Sequence, residues 1–153
     1  MRSLELKVPP PLVALAVAGG MWALARVSYR FALFTTHRQA VAGALFVLGV
    51  LCAVSAVLAF RRSKTTVNPT RPEASTALVR SGPFRISRNP MYLGLLLALL
   101  GWAVLLAAPW SLIGPVIFVL YIQRFQILPE ERVMTAKFGA EFERYRSTVR
   151  RWL

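Results

Sequence analysis

The stretch that decides the fold is MYLGLLLALLGWAVLLAAPWSLIGPVIFVLYIQ, residues 91–123, which carries no charged side chain. A helix rises about 1.5 Å per residue and needs about 20 residues to cross the roughly 30 Å of a bilayer's hydrocarbon core. The stretch is too long for one crossing and just long enough for two short ones, so it predicts a helical hairpin. Its bend is predicted at 107–111, because Pro109 suits the first turn of a helix and Trp110 suits the bilayer interface.

Two further apolar runs precede this hairpin. Residues 41–60 carry no charge and have the length of one span. The run 8–25 is interpreted as a first span and not as a signal peptide, because no clear cleavage site follows it and Arg26 comes directly after. Hydrophobic residues make up 56% of the chain, above the about 45–50% of soluble domains. The sequence therefore predicts an all-α, multi-pass integral membrane protein with about four transmembrane helices.

The basic residues predict how these helices are oriented. Seven Lys or Arg lie in 61–88 and seven from 124 to the end, against three between the first two spans. By the positive-inside rule, both rich regions and both chain ends are expected in the cytoplasm. The net charge of +13 then reflects topology and attraction to anionic lipids, which we expect as partners. No nucleic-acid-binding module is recognisable, so binding of nucleic acid is not expected.

The organisation is that of a single membrane domain, 1–153. It has four parts, which are two N-terminal spans (1–60), a polar cytoplasmic loop (61–90), the hairpin (91–128) and a C-terminal amphipathic helix (129–153). Four prolines exclude a long helix from the loop. Loops of this length inside a compact protein are usually functional or disordered, and apolar residues within this one favour function.

The C-terminal helix, expected on the cytoplasmic side, is predicted from apolar residues at helical spacing. Met134, Phe138, Phe142 and Tyr145 recur every three or four positions, with charged residues between them. Gly139 weakens this helix and is a candidate break. An interfacial membrane anchor is the simplest interpretation of the pattern.

Two polar segments should meet at one membrane surface, because a hairpin returns the chain to the side it left. They are 81–92 and 124–132, and a polar cofactor could lie between them. The second contains Glu130 and Glu131, adjacent acids in a chain with six acidic and nineteen basic residues. These glutamates either complement a helix N-terminus or accept hydrogen bonds from a cofactor's amine or hydroxyls, and the residues alone leave both interpretations open.

Other reactive side chains are few. His37 is interpreted as a solvated loop residue, and Cys52 as a small apolar filler that cannot form an intramolecular disulfide. No cluster of metal ligands and no nucleophile with its base is recognisable, so hydrolase and metal chemistry are not expected.

Three motifs in one order resemble a known family. They are GPFRISRNPMYLG at 82–94, Pro129-Glu130-Glu131, and Phe138-Gly139 followed by Tyr145, Val149 and Arg151. Separated by an uncharged hairpin, they resemble the isoprenylcysteine carboxyl methyltransferase and phospholipid methyltransferase superfamily. The resemblance covers about 76–153, half of the chain.

This resemblance implies an S-adenosylmethionine-dependent methyltransferase with its active site at the cytoplasmic face. The substrate would be lipophilic and enter from the bilayer, as a prenylcysteine-type carboxylate or a phospholipid amine. Arg124 and Glu131 would be catalytic, and Arg124 and Gln126 would bind substrate. The residues that would bind the cofactor are Thr76, Ala77, Leu78, Val79, Phe84, Asn89, Pro90, Met91, Tyr92 and Glu130.

Two positions depart from the family pattern. Asn89 stands where well-known members carry histidine, and asparagine cannot titrate, so a catalytic histidine there does not apply. Gln126 stands where the prenylcysteine enzymes place an arginine for the substrate carboxylate, and the nearest upstream arginine is Arg124. The methyl acceptor therefore stays open among a carboxylate, an amine and a thiol.

Two other functions fit the architecture. One is an NADPH-dependent membrane lipid or sterol reductase, although Glu130 and Glu131 would repel the 2′-phosphate of NADPH. The other is a non-catalytic membrane adaptor whose basic loop and tail bind lipid or a partner protein, which would have no saturable cofactor site.

Overall fold

The computed structural model describes residues 5–29, 37–63 and 72–153, and its regular secondary structure there is helical. Parts of the predicted loop 61–90 and of the connection after the first span lie outside the described residues. Within the described ranges there is no β-strand, only an isolated bridge between Ser87 and Arg150. The predicted all-α class is confirmed. The α-helices are α1 Pro10–Arg26, α2 Arg38–Arg62, α3 Pro90–Leu106, α4 Ile113–Ile122, α5 Leu128–Phe138 and α6 Ala140–Thr148.

Two helical stretches among the described residues are long and apolar enough to cross a membrane. They are α2 and the continuous stretch Pro109–Phe138, while α1 and α3 are apolar helices of 17 residues each. Only 17% of the apolar window of α2 is buried, so most of its large side chains face outward. An apolar surface of this kind suits lipid and not water, which supports a membrane location. The number of crossings stays a prediction.

The predicted bend of the hairpin is confirmed. Helix α3 ends at Leu106, and Ala107 adopts a left-handed conformation with φ 50°. Pro109 then begins the short 3₁₀ turn Pro109–Leu112, where its missing N–H leaves no donor unpaired. The return helix α4 starts directly after this turn.

Small residues let α2 and α3 approach closely. A Cβ atom added to Gly94 would lie 2.6 Å from the carbonyl oxygen of Gly49, a distance that no side chain could occupy. Ala42 and Ala56 are also buried, seven residues either side of Gly49. This repeat allows two helix backbones to meet along a shared seam. The seam fixes the start of α3 against α2.

The larger core lies between α1, α3 and the long helix formed by α4 and α5. It contains Met21, Leu99, Phe118, Ile122 and Ile127, all nearly or fully buried. Between α4 and α5, the five residues Gln123–Ile127 form a π-helical turn. Such turns insert an extra residue and rotate the helix faces that follow.

The prediction of a single C-terminal helix over 129–153 is wrong in detail. Helix α5 begins at Leu128 as a continuation of the long apolar helix, and it ends at Phe138, with Gly139 as its C-cap. Gly139 has φ 48° and ψ −124°, a conformation that other residues rarely adopt, so the break suspected there is confirmed. After α6 the backbone is extended at Val149 and runs back to the loop before α3.

Candidate active site

A pocket lies where the loop before α3 meets α5, α6 and the end of α2. Its empty volume is about 870 Å³, the open mouth included, which is in the size range of small-molecule sites. It is lined mainly by apolar and aromatic side chains with a few charged ones. The lining residues are Phe60, Ser75, Ala77, Leu78, Val79, Phe84, Arg88, Asn89, Pro90, Met91, Tyr92, Glu130, Glu131, Met134, Phe142 and Tyr145.

The two ends of the hairpin meet in this pocket through Tyr92 and Glu130. Tyr92 stands in the first turn of α3, and Glu130 stands near the start of α5. The hydroxyl of Tyr92 donates a hydrogen bond to a carboxylate oxygen of Glu130. The buried phenol therefore fixes the orientation of this carboxylate.

Glu131 is held by two arginines. Its Oε1 lies 3.0 Å from Nη2 of Arg88, and Arg151 donates to both carboxylate oxygens, at 3.1 Å from Nε and 2.7 Å from Nη2. Burial lowers the pKa of Arg88, and the hydrogen bond to Glu131 raises the pKa of Arg151. Both guanidinium groups stay charged at neutral pH. Glu131 thereby joins the loop before α3 to the C-terminal tail.

Main-chain bonds fix the tail further. The backbone N–H of Arg88 donates to the carbonyl oxygen of Arg150 at 3.0 Å, and the side-chain amide of Asn89 donates to that of Arg151 at 2.9 Å. Ser87 is almost fully buried and donates its hydroxyl to the same Arg151 oxygen. The tail thus packs against Arg88 and Asn89, two residues that line the pocket.

Aromatic residues form the opposite wall. Phe84 is buried, and the ring of Phe60 meets it edge-on with 5.1 Å between centroids. The hydroxyl of Tyr145 donates to the carbonyl oxygen of Phe84 at 2.7 Å, and burial raises the pKa of Tyr145 to about 12. The phenol is therefore a neutral hydrogen-bond donor at physiological pH, and it ties α6 to the loop.

The structure brings together all of the predicted cofactor residues except Thr76. Thr76 is exposed and is absent from the pocket lining, whereas its neighbours Ala77, Leu78 and Val79 belong to it. The amide of Asn89 is already bonded to the tail, so its side chain supports the wall. No three His, Cys, Asp or Glu side chains cluster as metal ligands anywhere in the described ranges.

The predicted substrate residues lie elsewhere. Arg124 is 3.0 Å from Glu5, which also pairs with Arg132, and its hydrogen bond lowers the pKa of Glu5. Gln126 is fully buried and donates to the carbonyl oxygen of Val8 at 2.7 Å. Neither residue lines the pocket, so of the predicted catalytic and substrate residues only Glu131 does.

Gln126 lies within a π turn. In an α-helix, residues four apart share a face, which would put Gln126 beside Glu130. The turn Gln123–Ile127 departs from that spacing, and the side chain of Gln126 is bonded to Val8. The role in substrate binding that the resemblance implies for Gln126 stays a prediction.

Six pocket residues were absent from the predicted set. Three of them belong to the apolar face of the predicted C-terminal helix: Met134, Phe142 and Tyr145. Apolar residues at helical spacing do not distinguish a membrane anchor from a pocket wall. Arg88 was present in the motif but had no role of its own. The other two are Phe60, at the end of α2, and Ser75.

Most of the segments that line the pocket lie in a region that matches a known protein family. Residues 37–141 match the family model described as phospholipid methyltransferase. The chain belongs to the phospholipid methyltransferase family. This match runs from the start of α2 into α6 and so includes the pocket residues from Phe60 to Met134.

The chain is also similar in sequence to individual methyltransferases. The chain is 32% identical over 108 residues to a protein-S-isoprenylcysteine O-methyltransferase of Saccharomyces cerevisiae, covering 69% of this chain and 44% of the yeast protein. It is 31% identical over 108 residues to protein-S-isoprenylcysteine O-methyltransferase B of Arabidopsis thaliana, covering 69% and 53%. The chain thus spans about half the length of these two methyltransferases.

A bacterial relative is shorter. An uncharacterised protein of Haemophilus influenzae is 49% identical over 63 residues, which is 41% of this chain and all of that protein. No solved structure shows significant similarity to the chain.

Proposed function

We propose that the protein is an S-adenosylmethionine-dependent methyltransferase acting on a lipophilic substrate that enters from the bilayer. The observation that carries this proposal is the Tyr92–Glu130 pair inside a largely apolar pocket, in a member of the phospholipid methyltransferase family. The acceptor classes that the relatives suggest are a prenylcysteine-type carboxylate and a phospholipid amine.

The pocket residues fit such a cofactor. S-adenosylmethionine supplies an electrophilic methyl group on a sulfonium, and it carries an amine, ribose hydroxyls and an adenine ring. Glu130 has an oxygen that can accept from the amine or a hydroxyl, and Tyr92 holds that carboxylate in place. Phe84 and Met91 provide apolar surface for a planar ring.

The chain contributes positioning and exclusion of water. Methyl transfer is an in-line displacement, for which orientation and a dry site matter more than proton transfer. The tail supports two residues of the pocket lining, Glu131 and Asn89, through Arg151. A carboxylate acceptor is ionised at neutral pH and needs no base. For an amine acceptor, Glu130 is the pocket carboxylate not occupied by arginines, and it would accept the proton.

The same proposal includes the location of the site. We propose that it is a multi-pass membrane enzyme whose pocket opens on the cytoplasmic face, because the basic residues are concentrated on that side. Arg80, Arg85 and Arg144 line a shallow cleft beside Tyr145, and they would attract anionic lipid headgroups.

Cofactor binding by purified protein in detergent tests this proposal. Isothermal titration with S-adenosylhomocysteine should give saturable binding, and Glu130→Gln should weaken it about tenfold or more, because a charge-assisted hydrogen bond is lost. Glu141→Gln is the matched control, since Glu141 is half-exposed and pairs with Arg80 away from the pocket lining. Thermal stabilisation by NADPH but not by S-adenosylhomocysteine would contradict the proposal.

A further inference from the structure

The segment before α1, residues 5–8, is bonded to the π turn of the long helix. The backbone N–H of Leu6 donates to the carbonyl oxygen of Phe125 at 3.0 Å. The next residue of the turn, Gln126, is fully buried, and its side-chain amide donates to the carbonyl oxygen of Val8 at 2.7 Å. One bond runs from the segment to the turn and the other from the turn to the segment, so together they fix the two backbones against each other.

The sequence of the turn explains why it takes a partner from outside the helix. In an α-helix the carbonyl oxygen of Phe125 would accept from the N–H four residues on, but that residue is Pro129, which has none. Leu6 supplies a donor instead. Leu6 itself has φ 59°, a left-handed conformation that leucine rarely adopts. Backbone of this kind persists where the surrounding contacts determine it, which indicates that the segment is firmly held.

One carboxylate links the two sides of the junction between α4 and α5. Glu5 lies 3.0 Å from Nη1 of Arg124, in the π turn, and also pairs with Nη2 of Arg132, in α5. The side chain of Glu5 is 12% exposed, whereas those of the arginines are 44% and 58% exposed. Two charge-assisted contacts to one covered carboxylate are stronger than a single exposed ion pair.

This junction carries the glutamate of the pocket. Arg132 stands two residues after Glu130 on α5, and the carboxylate of Glu130 is oriented by Tyr92 from α3. Val8, at the end of the segment, packs against the core cluster that contains Tyr92. The segment therefore supports both the helix that carries Glu130 and the core around its phenol partner.

We propose that Glu5 is a positioning residue for the reaction, because its pairs with Arg124 and Arg132 hold α5 in the place that sets Glu130 in the pocket. The inference rests on the proposed function, since it takes Glu130 to bind S-adenosylmethionine. Glu5 does not line the pocket, so it acts through α5 and not on the ligand.

Hydrogen exchange tests the attachment of the segment without a ligand. The amide of Leu6 donates to the π turn, so it is protected only while the segment is bound. In Glu5→Gln and in Arg132→Gln this amide should exchange about threefold or more faster than in the wild-type protein. Glu141→Gln removes the acid of an exposed ion pair and is the matched control, which should leave the exchange unchanged. Unchanged exchange in both test variants would overturn the inference.

Cofactor binding tests the consequence for the pocket. Isothermal titration with S-adenosylhomocysteine should show binding about three- to tenfold weaker in Glu5→Gln than in the wild-type protein. The same change made in Glu130→Gln should weaken binding much less, because the carboxylate that Glu5 positions is already gone. A contact that only stabilised the fold would weaken binding equally in both backgrounds, so equal losses would overturn the inference.

Arg132→Gln replaces Glu5→Gln if that variant does not fold, since it removes one of the two pairs and keeps Arg124 on Glu5. It should weaken binding by a smaller factor, and the two changes combined should weaken it no more than Glu5→Gln alone. Wild-type affinity in both single variants would contradict the positioning role. If the Leu6 amide responds as expected but the wild-type protein does not bind S-adenosylhomocysteine, the proposed function is overturned and the attachment of the segment stands.

Discussion

Replacing Arg151 by glutamine should release the C-terminal tail from the pocket. The change removes a two-point contact to Glu131, at 3.1 and 2.7 Å. Breaking a buried ion pair costs about 3–5 kcal/mol and an exposed pair about 0–1 kcal/mol. The side chains of Arg151 and Glu131 are 30% and 12% exposed, between these limits, so we expect a loss of about 1–3 kcal/mol.

Hydrogen exchange measures this loss locally. The amide of Arg88 donates to the carbonyl oxygen of Arg150, so it is protected only while the tail is docked. A loss of 1–3 kcal/mol should speed its exchange roughly 5- to 150-fold, with little change in α2. Arg150→Gln changes the same charge on the neighbouring, exposed side chain and is the control. If Arg151→Gln exchanged no faster than Arg150→Gln, Glu131 would not be what holds the tail.

Two further substitutions test the packing around the site. Gly94→Leu should prevent α2 and α3 from meeting, because its Cβ would lie 2.6 Å from the carbonyl oxygen of Gly49. The control is Gly43→Leu, where an added Cβ would have nothing within 4 Å. The melting temperature of Gly94→Leu should fall well below that of this control. Tyr145→Phe should cost about 1–3 kcal/mol in denaturant unfolding, since it leaves the carbonyl oxygen of Phe84 without its donor; an unchanged midpoint would show that this bond does not stabilise the loop.

The hairpin and its bend could be predicted because bilayer thickness limits helix length. An uncharged run of this length has few ways to fold in lipid, and Pro109 marks where it turns. The meeting of Tyr92 with Glu130 follows from that topology. This is why nearly all of the predicted cofactor residues line one pocket.

The remaining features depend on tertiary contacts that sequence spacing does not encode. The π turn at Gln123–Ile127 is one of them, because α-helical counting cannot detect it, and Gln126 within it is bonded to Val8. Thr76 is exposed and does not line the pocket, and in an irregular loop the side that a residue faces is not set by a period.

Methyl transfer itself tests the central claim most directly. Wild-type protein in lipid vesicles, given S-adenosylmethionine with a labelled methyl group and a lipophilic membrane extract, should produce label that partitions into organic solvent. Glu130→Gln should lower this yield about tenfold or more at limiting cofactor, whereas Glu141→Gln should not. Wild-type protein that transfers no label while it consumes NADPH would contradict the account.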